Sequence, residues 1–381
     1  MKLDLASVIR PGDALLWGQA CAEPQTLVEA LIAERAALSG CRIFLGSSYS
    51  GLLRPEHADH LRFTSYCGTG TNRALADAGV LDILPVPYSQ LGALLRSRRL
   101  ACDVVMVQVS PPNARGEYSL GLGVEYLAPA LEVARAVIAE VNPQVPWTHT
   151  QPLLQRDDFD VLVESSRPPV ELRYDPPGEL EQSIARHAAP VVPDGATIEC
   201  GIGALPNAIL GALAGRTLDY HSGVICENVR LAQPERCVGG ALMGTRALFD
   251  WARENRAVTL TSSDMTHGAQ SLARIERFVA INSAVEVDLT GQVNGEVARG
   301  SYVGAVGGAL DFIRAANQSP GGMSIVALPA ARIVERLFGP VSVPRSEAGI
   351  FVTEHGAADL RGCTLGERER RMRAITTPCV V

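Results

Sequence analysis

The chain has 381 residues, of which 47% are hydrophobic and 20% are charged, and its formal net charge is −7. A chain of this length and composition can bury a complete hydrophobic core and favours two domains over one. The mildly acidic balance argues against nucleic acid as a partner, because a nucleic-acid-binding surface requires concentrated basic charge.

Membrane and metal chemistry are also disfavoured by the sequence. No apolar run reaches the roughly 18 residues that a membrane-spanning helix needs, and the first residues lack the pattern of an export signal. The nine cysteines include no C-x-x-C pair and no Cys/His spacing typical of zinc sites. We therefore expect a cytoplasmic protein with free thiols, no membrane partner and no bound metal.

A segment near the start of the chain recurs in the second half. Residues 11–16 align without a gap with residues 193–198, and residues 24–31 align with residues 206–213. Each copy is typical of a turn, an apolar strand, a loop of small residues and a helix begun by proline. The sequence thus predicts an internal duplication, although any two strand-loop-helix units share some of this pattern.

Short apolar runs bounded by turn residues follow in both halves, at residues 104–109, 258–260 and 325–328. Such runs are typical of strands covered on both faces, and they predict α/β domains with open parallel sheets between helices. The proline-rich stretch 167–178 marks the expected boundary. The predicted domains are therefore residues 1–178 and 179–381, with ligands at the carboxyl ends of the strands.

The first informative loop, residues 199–206, follows an apolar strand and opens a helix. Gly201 and Gly203 would let the backbone approach a ligand, while the free N–H groups of the helix start face an oxyanion or a phosphate. A dinucleotide site is disfavoured because Pro206 stands at the third glycine position of that motif. A tight turn without a ligand is the alternative.

The second informative loop contains Gly304, Gly307 and Gly308 and also opens a helix. Asn282 and Ser283 end the strand predicted at residues 278–281, where polar side chains are placed to bind a ligand. For Asn282 the alternative is a backbone cap on the next turn.

Several longer strings then point to a family. They are SPPNARGEYSLG at residues 110–121, IGALP at 202–206, INSAVEVDLTGQV at 281–293, GGALDF at 307–312, VTEHG at 352–356 and LRG at 360–362. Together they resemble the acetyl-CoA hydrolase/transferase family, the family I CoA-transferases that include 4-hydroxybutyrate CoA-transferase. The resemblance extends from about Arg10 to about Pro378. It implies two related open-sheet α/β domains of the CoA-transferase type, an acyl-CoA substrate and a homodimer or higher homo-oligomer.

The same resemblance implies that the second glycine loop contacts the pantetheine and phosphates of coenzyme A, and that the first loop forms the oxyanion site. The candidate CoA-binding residues are therefore Gly201, Gly203, Asn282, Ser283, Gly304, Gly307 and Gly308.

The catalytic glutamate of the family is absent. In the family a His-Ser pair is followed by the nucleophilic glutamate, whereas here His221 and Ser222 are followed by Gly223. Another group must then act, and the candidates are Glu199, Glu227 and His221. Glu199 leads directly into the first glycine loop, but it could instead be tied to an arginine or to backbone amides. Glu227 lies four residues past the gap, and a histidine at a strand start is more often structural.

Three functions remain open from the sequence. A CoA-transferase that uses a small carboxylate as acceptor is the first. A hydrolase or other lytic enzyme, in which Glu199 serves as base to water, is the second. The third is a catalytically silent CoA-binding subunit that needs a partner chain. If the pocket still presents a thioester carbonyl near position 223, Gly223→Glu is expected to create or raise CoA transfer to acetate.

Overall fold

Two open α/β sheets form the framework of residues 4–376, the part of the chain that the computed structural model describes. The strands of the first half are β1 (Ala14–Trp17), β2 (Arg42–Leu45), β3 (Arg62–Ser65), β4 (Leu81–Ile83), β5 (Val104–Val109), β6 (Ala136–Val141), β7 (His149–Thr150) and β8 (Val161–Glu164). Its helices are α1 (Gln25–Glu34), α2 (Asn72–Asp77), α3 (Leu91–Arg96) and α4 (Leu127–Val133). All of these strands except β7 form one parallel sheet in the order β4-β3-β2-β1-β5-β6-β8.

The second half is also built around one large sheet, and it contains several further short strands that form small separate sheets. Its strands are β9 (Thr197–Cys200), β10 (Asp219–His221), β11 (Val224–Cys226), β12 (Cys237–Gly239), β13 (Ala241–Met243), β14 (Val258–Leu260), β15 (Phe278–Ser283), β16 (Glu286–Asp288), β17 (Val293–Asn294), β18 (Val297–Ala298), β19 (Ser301–Tyr302), β20 (Met323–Ala327), β21 (Ile333–Val334), β22 (Ile350–Thr353) and β23 (Gly356–Asp359). Its helices are α5 (Glu179–Ala188), α6 (Ala204–Ala212), α7 (Glu227–Ala232), α8 (Arg246–Ala252), α9 (Ser263–Thr266), α10 (Ala269–Leu272), α11 (Ala309–Gln318) and α12 (Leu365–Ala374). The main sheet has the order β23-β22-β20-β15-β9-β10-β12-β14-β7.

The order of the strands repeats between the halves. In the first sheet β1 is central, with β2, β3 and β4 on one side and β5, β6 and β8 on the other. In the second sheet β9 is central, with β10, β12 and β14 on one side and β15, β20 and β22 on the other. This common order supports the duplication that the sequence predicts, since β1 and β9 are the two aligned segments.

The two halves are nevertheless joined in one structure. Strand β7 comes from the first half but pairs in parallel with β14, so His149 lies opposite Thr259 at the edge of the second sheet. The largest apolar cluster likewise contains Leu16 from the first sheet and Ile198 from the second. Residues 165–178 form no helix or strand, and residue 178 stays our proposed domain boundary.

The second glycine loop lies against the first half. The Gly68 amide donates to the Gly304 carbonyl oxygen at 2.9 Å, and the Tyr88 amide donates to the Gly307 carbonyl oxygen at 2.9 Å. Ala305 also forms an isolated bridge with Cys67. The loop that opens α11 is therefore held against the first half by backbone hydrogen bonds, and a cavity lies beside it. Within residues 4–376, no helix has the length and apolar character needed to cross a membrane.

Candidate active site

A cavity of about 280 Å³ lies between the two halves and is lined by both. From the first half it is lined by Gln19, Ser47, Tyr66, Tyr88 and Glu125, and from the second half by Glu199, Gly201, Gly223, His267, Asn282, Ser283, Gly307 and Gly308, among others. Among the described residues that line it there is no lysine or arginine. Its ionisable groups are thus carboxyls, phenols, thiols and an imidazole.

Most of the predicted site residues meet at this cavity, and two of the glycines lie just beside it. Gly203 precedes α6 with a φ of +121°, a backbone conformation that side chains rarely adopt. Gly304 leaves no room for a side chain, because a Cβ there would lie 2.0 Å from the Gly295 carbonyl oxygen. Gly201, Gly307 and Gly308 line the cavity directly.

Glu199 lies on β9 with only 2% of its surface exposed. Its Oε2 accepts a hydrogen bond of 2.7 Å from Nδ2 of Asn282 on the neighbouring strand β15. Burial raises the pKa of Glu199 to about 8, and hydrogen bonds from Asn282 and from the backbone at Ile281 offset only part of this rise. The partner is therefore a neutral amide, not the arginine that the sequence left open, and the carboxyl holds a proton near neutral pH.

His221 and Glu227 lie elsewhere. His221 lines a different cavity of about 900 Å³, and its Nε2 donates to the Thr266 carbonyl oxygen at 3.0 Å. Glu227 begins α7 and lines a third cavity, of about 530 Å³. Its carboxylate accepts hydrogen bonds from Arg230 at 2.9 Å and from the Thr245 hydroxyl at 3.0 Å. The structure therefore brings neither residue to the cavity that Glu199 lines.

The space beside Gly223 is filled by the imidazole of His267. A Cβ on Gly223 would lie 2.8 Å from Cε1 and 2.9 Å from Nε2 of this ring. The ring lies between Tyr88 and Phe312, with centroid distances of 4.6 and 4.5 Å. Burial lowers the pKa of His267 to about 3, so the imidazole is neutral. A side chain at position 223 would have to displace this ring.

A second buried carboxyl, Glu125, faces the same cavity. Nε2 of Gln19 donates to both of its oxygens, at 2.7 and 2.8 Å, and to the Tyr88 hydroxyl at 3.1 Å. Oε1 of Gln19 accepts from the Tyr66 hydroxyl and from the Ser47 amide, both at 2.8 Å. The two acceptor contacts fix the orientation of the amide, so its NH₂ group must face Glu125.

Burial raises the pKa of Glu125 to about 7, and hydrogen bonds from Gln19 and Tyr88 offset part of the rise. Sequence reasoning missed both Glu125 and His267. Glu125 follows Leu122-Gly123-Val124 just beyond the family string at residues 110–121, and a lone carboxylate in this apolar, glycine-rich segment was the available signal. No motif marks His267.

Comparison with known proteins covers nearly the whole chain. The family model described as the acetyl-CoA hydrolase/transferase N-terminal domain matches residues 2–169, and the model of the C-terminal domain matches residues 244–380. The chain is 33% identical to the 4-hydroxybutyrate coenzyme A transferase of Clostridium kluyveri, over 98% of this chain and 92% of that protein.

Two solved structures are also similar. RipA from Yersinia pestis has a TM-score of 0.91 at 29% identity, and covers 98% of this chain and 92% of that chain. The 4-hydroxybutyrate CoA-transferase of Porphyromonas gingivalis has a TM-score of 0.82 at 28% identity, with the same coverage of 98% and 92%.

The contact between position 223 and the His267 ring yields a first prediction. Gly223→Ala should lower the free energy of unfolding by about 1–3 kcal/mol, because the new methyl group overpacks against a buried ring that Tyr88 and Phe312 also contact. The loss should shrink in a His267→Ala background, where the ring is gone. Urea unfolding of the four proteins in this double-mutant cycle measures the coupling.

Gly211→Ala is the matched control, since a Cβ on this exposed helical glycine meets nothing within 4 Å. It should leave stability unchanged or slightly raised. Equal stability of Gly223→Ala and the unaltered protein would contradict the packing argument.

A second prediction concerns Glu199 and pH. Because its pKa is raised from 4.5 to about 8, its contribution to stability is fully present below pH 4.5 and is lost as the pH rises towards 8. Glu199→Gln carries no such titration. The stability of the variant relative to the unaltered protein should therefore rise with pH, by on the order of 1 kcal/mol per unit, and level off above pH 8.

Urea unfolding at pH 5, 6.5 and 8.5 tests this, with the exposed Glu235→Gln as control. A difference between the Glu199 variant and the unaltered protein that stays constant across the three pH values would refute a raised pKa.

Proposed function

The chain belongs to the acetyl-CoA hydrolase/transferase family, and we propose that it transfers coenzyme A from an acyl-CoA to a small carboxylate in the cavity between its halves. The family and the fold class expected from the sequence strings are confirmed by the family models and by the two α/β sheets, which are parallel except for the edge strand β23. We further propose, from the sequence, a cytoplasmic homo-oligomer.

The observation that carries the proposal is the composition of the cavity. Glycine loops at the starts of α6 and α11 and the amide of Asn282 converge on it, together with two carboxyl groups. Backbone N–H groups at helix starts favour phosphate and oxyanion groups, which a CoA thioester supplies. We assign Gly201, Gly203, Asn282, Ser283, Gly304, Gly307 and Gly308 to CoA binding on this basis.

Glu199 is the carboxyl that we propose as nucleophile. Its ionised form attacks the thioester carbonyl carbon, and the CoA thiolate leaves to give a mixed anhydride. The thiolate then attacks the glutamyl carbonyl, releases the first acid and forms a glutamyl-CoA thioester. The acceptor carboxylate attacks this thioester, and the same two steps in reverse order restore Glu199 and yield the new acyl-CoA. Glu227 and His221 have no part in this scheme, because they lie outside the cavity.

Hydrolysis is the second candidate function. It is favoured by the two cavity carboxyls whose pKa values lie at about 7 and about 8, the range in which a general base works near neutral pH. It is also favoured by the imidazole beside Gly223, which occupies the place of a nucleophilic side chain.

A third prediction separates these functions. The purified protein is incubated with a panel of acyl-CoAs, with and without acetate or succinate, and free thiol and new thioesters are followed by mass. Transfer predicts new thioesters that depend on the acceptor, and hydroxylamine or borohydride should then modify Glu199. The Glu227→Gln variant is the control and should keep full activity.

New thioesters in the absence of any modified glutamate would contradict the glutamyl route. Acyl-CoA binding without any turnover would instead indicate a silent CoA-binding subunit.

A fourth prediction revises the expectation for Gly223→Glu. Alone, this substitution should give no gain in acetate-dependent CoA exchange and should lower stability, because the side chain meets the His267 ring. In combination with His267→Ala it has space, and exchange should exceed that of the unaltered protein. Exchange rate and melting temperature are measured together, with His267→Ala alone as control. A strong gain from the single substitution would show that the ring is no obstacle.

A further inference from the structure

The carboxyl of Glu125 lies next to the position where the family's glutamate is missing. A side chain on Gly240 would begin 2.8 Å from Cγ of Glu125 and 2.8 Å from the carbonyl oxygen of Gly223. Glu125 and Gly223 are thus separated by a space about the size of one methyl group. Glu125 comes from the first half of the chain, whereas Gly223 and Gly240 belong to the second.

The backbone of Glu125 is held in an unfavourable conformation. Its φ is +38°, in the left-handed region that residues other than glycine seldom occupy. The surrounding structure enforces it, since the Ser263 amide donates to the Glu125 carbonyl oxygen at 3.1 Å and the Val124 amide donates to the Gly240 carbonyl oxygen at 2.8 Å. Such strain occurs where a side chain must be presented in one direction, and it is concentrated at functional sites.

Two other glutamates of the first half, Glu140 and Glu23, are equally buried, but their hydrogen-bond partners lie outside the central cavity. Glu140 accepts hydrogen bonds from the Thr26 amide and hydroxyl, both at 2.9 Å. Glu23 accepts from the Ser48 hydroxyl at 3.3 Å and the Ser50 amide at 3.3 Å. Neither lines the central cavity. Glu125 does, and the side-chain donors on it are Gln19 and Tyr88, which line the cavity too.

We propose that Glu125 is a catalytic base that delivers water to the thioester carbon beside Gly223, so that the enzyme hydrolyses acyl-CoA. The proposal rests on the proposed function in one respect, namely that an acyl-CoA occupies this cavity. It differs from that function in two respects. The acyl group passes to water, and the catalytic carboxyl is Glu125 in place of Glu199.

The chemistry balances without any further reactant. Glu125 takes one proton from water as the oxygen bonds to the thioester carbon, and the carbonyl oxygen becomes an oxyanion. When this intermediate collapses, the carbon–sulfur bond breaks and the CoA thiolate leaves. The proton on Glu125 passes to the thiolate, which gives free CoA, the carboxylic acid and the ionised base ready for another cycle.

Gln19 is a positioning residue in this scheme. Its fixed NH₂ group holds both oxygens of Glu125 and supports the ionised form, and it need not touch the substrate. Gln19→Leu should therefore move the pH midpoint of hydrolysis upwards, a readout that a purely structural role would leave unchanged.

The pH profile of hydrolysis distinguishes the ionisation of Glu125 from that of the titratable groups around it. The pKa values of Tyr66, Tyr88 and Tyr126 are raised well above 10 by burial, and that of His267 is lowered to about 3, so these groups stay uncharged between pH 5 and 9. The other cavity carboxyl that titrates in this range is Glu199. Because the pKa of Glu199 is higher, at about 8, hydrolysis should rise with pH through about 7 as Glu125 ionises.

The test compares the full-length protein with Glu125→Gln and Glu23→Gln. Thiol release from acyl-CoA is followed in ¹⁸O-labelled water without any carboxylate acceptor, and acyl-CoA affinity and melting temperature are measured on each protein. Glu125→Gln should lose at least about 100-fold in kcat with affinity retained. Glu23→Gln, the buried control, should match the unaltered protein.

The outcomes distinguish the two proposals. Absence of acyl-CoA binding in the unaltered protein would overturn the proposed function itself. Binding without thiol release in the absence of an acceptor, or thiol release that Glu125→Gln leaves intact, would overturn the role of Glu125 alone. If Glu125→Gln fails to fold, Glu125→Asp replaces it, and a shortened base that leaves kcat unchanged would also overturn the role.

Discussion

Two carboxyl groups are buried in the central cavity with no cation beside them among residues 4–376, and this burial governs the chemistry of the cavity. Glu125 and Glu199 are 4% and 2% exposed, and each is hydrogen-bonded by a neutral side-chain amide. An amide stabilises a carboxylate less than an arginine does, so desolvation prevails and both pKa values rise. A pair of arginines would have fixed both groups as anions. Because the partners are amides, both carboxyls can gain and lose protons near neutral pH.

The duplicated fold supplies these two carboxyls from opposite sides. Strand β1 ends two residues before Gln19, and Glu199 is the penultimate residue of β9. The carboxyl ends of parallel strands are where such folds gather ligands. The loop before α11 is bonded to Gly68 and Tyr88 of the first half. Neither half alone forms the cavity, since each supplies one carboxyl and part of the wall.

The local patterns of the sequence predicted much of the fold. The apolar runs at 104–109 and 258–260 coincide with β5 and β14, and the run at 325–328 covers the last three residues of β20 and extends one residue beyond it. The pairing of β7 with β14 could not be predicted from the sequence. Two residues are too few to show a hydrophobic alternation, and the partner strand lies in the other half of the chain. Glu199, Asn282 and three of the predicted glycines line the cavity because they stand at the carboxyl ends of strands or in the loops that follow them.

Glu125 and His267 escaped the sequence reasoning for a physical reason: their significance arises from contacts between distant segments. Glu125 matters because it meets Gln19, and the two are far apart in sequence. His267 matters because it approaches glycines from two further loops. Motif spacing records neighbours along the chain, and it cannot record these contacts.

Gly223, Gly308 and the imidazole of His267 pack together at the position where the family's glutamate is missing. A Cβ on Gly223 would lie 2.8 Å from the His267 ring, and a Cβ on Gly308 would lie 2.5 Å from its Nε2, so two glycines from separate loops make room for one imidazole. The rings of Tyr88 and Phe312 also pack against the imidazole, with centroid distances of 4.6 and 4.5 Å, which leaves it little freedom to turn aside. The absence of the glutamate is therefore matched by compensating contacts. A chain that had merely lost its nucleophile would have kept an empty space beside Gly223, whereas here the His267 imidazole fills that space, and the carboxyls of the cavity stand at other positions.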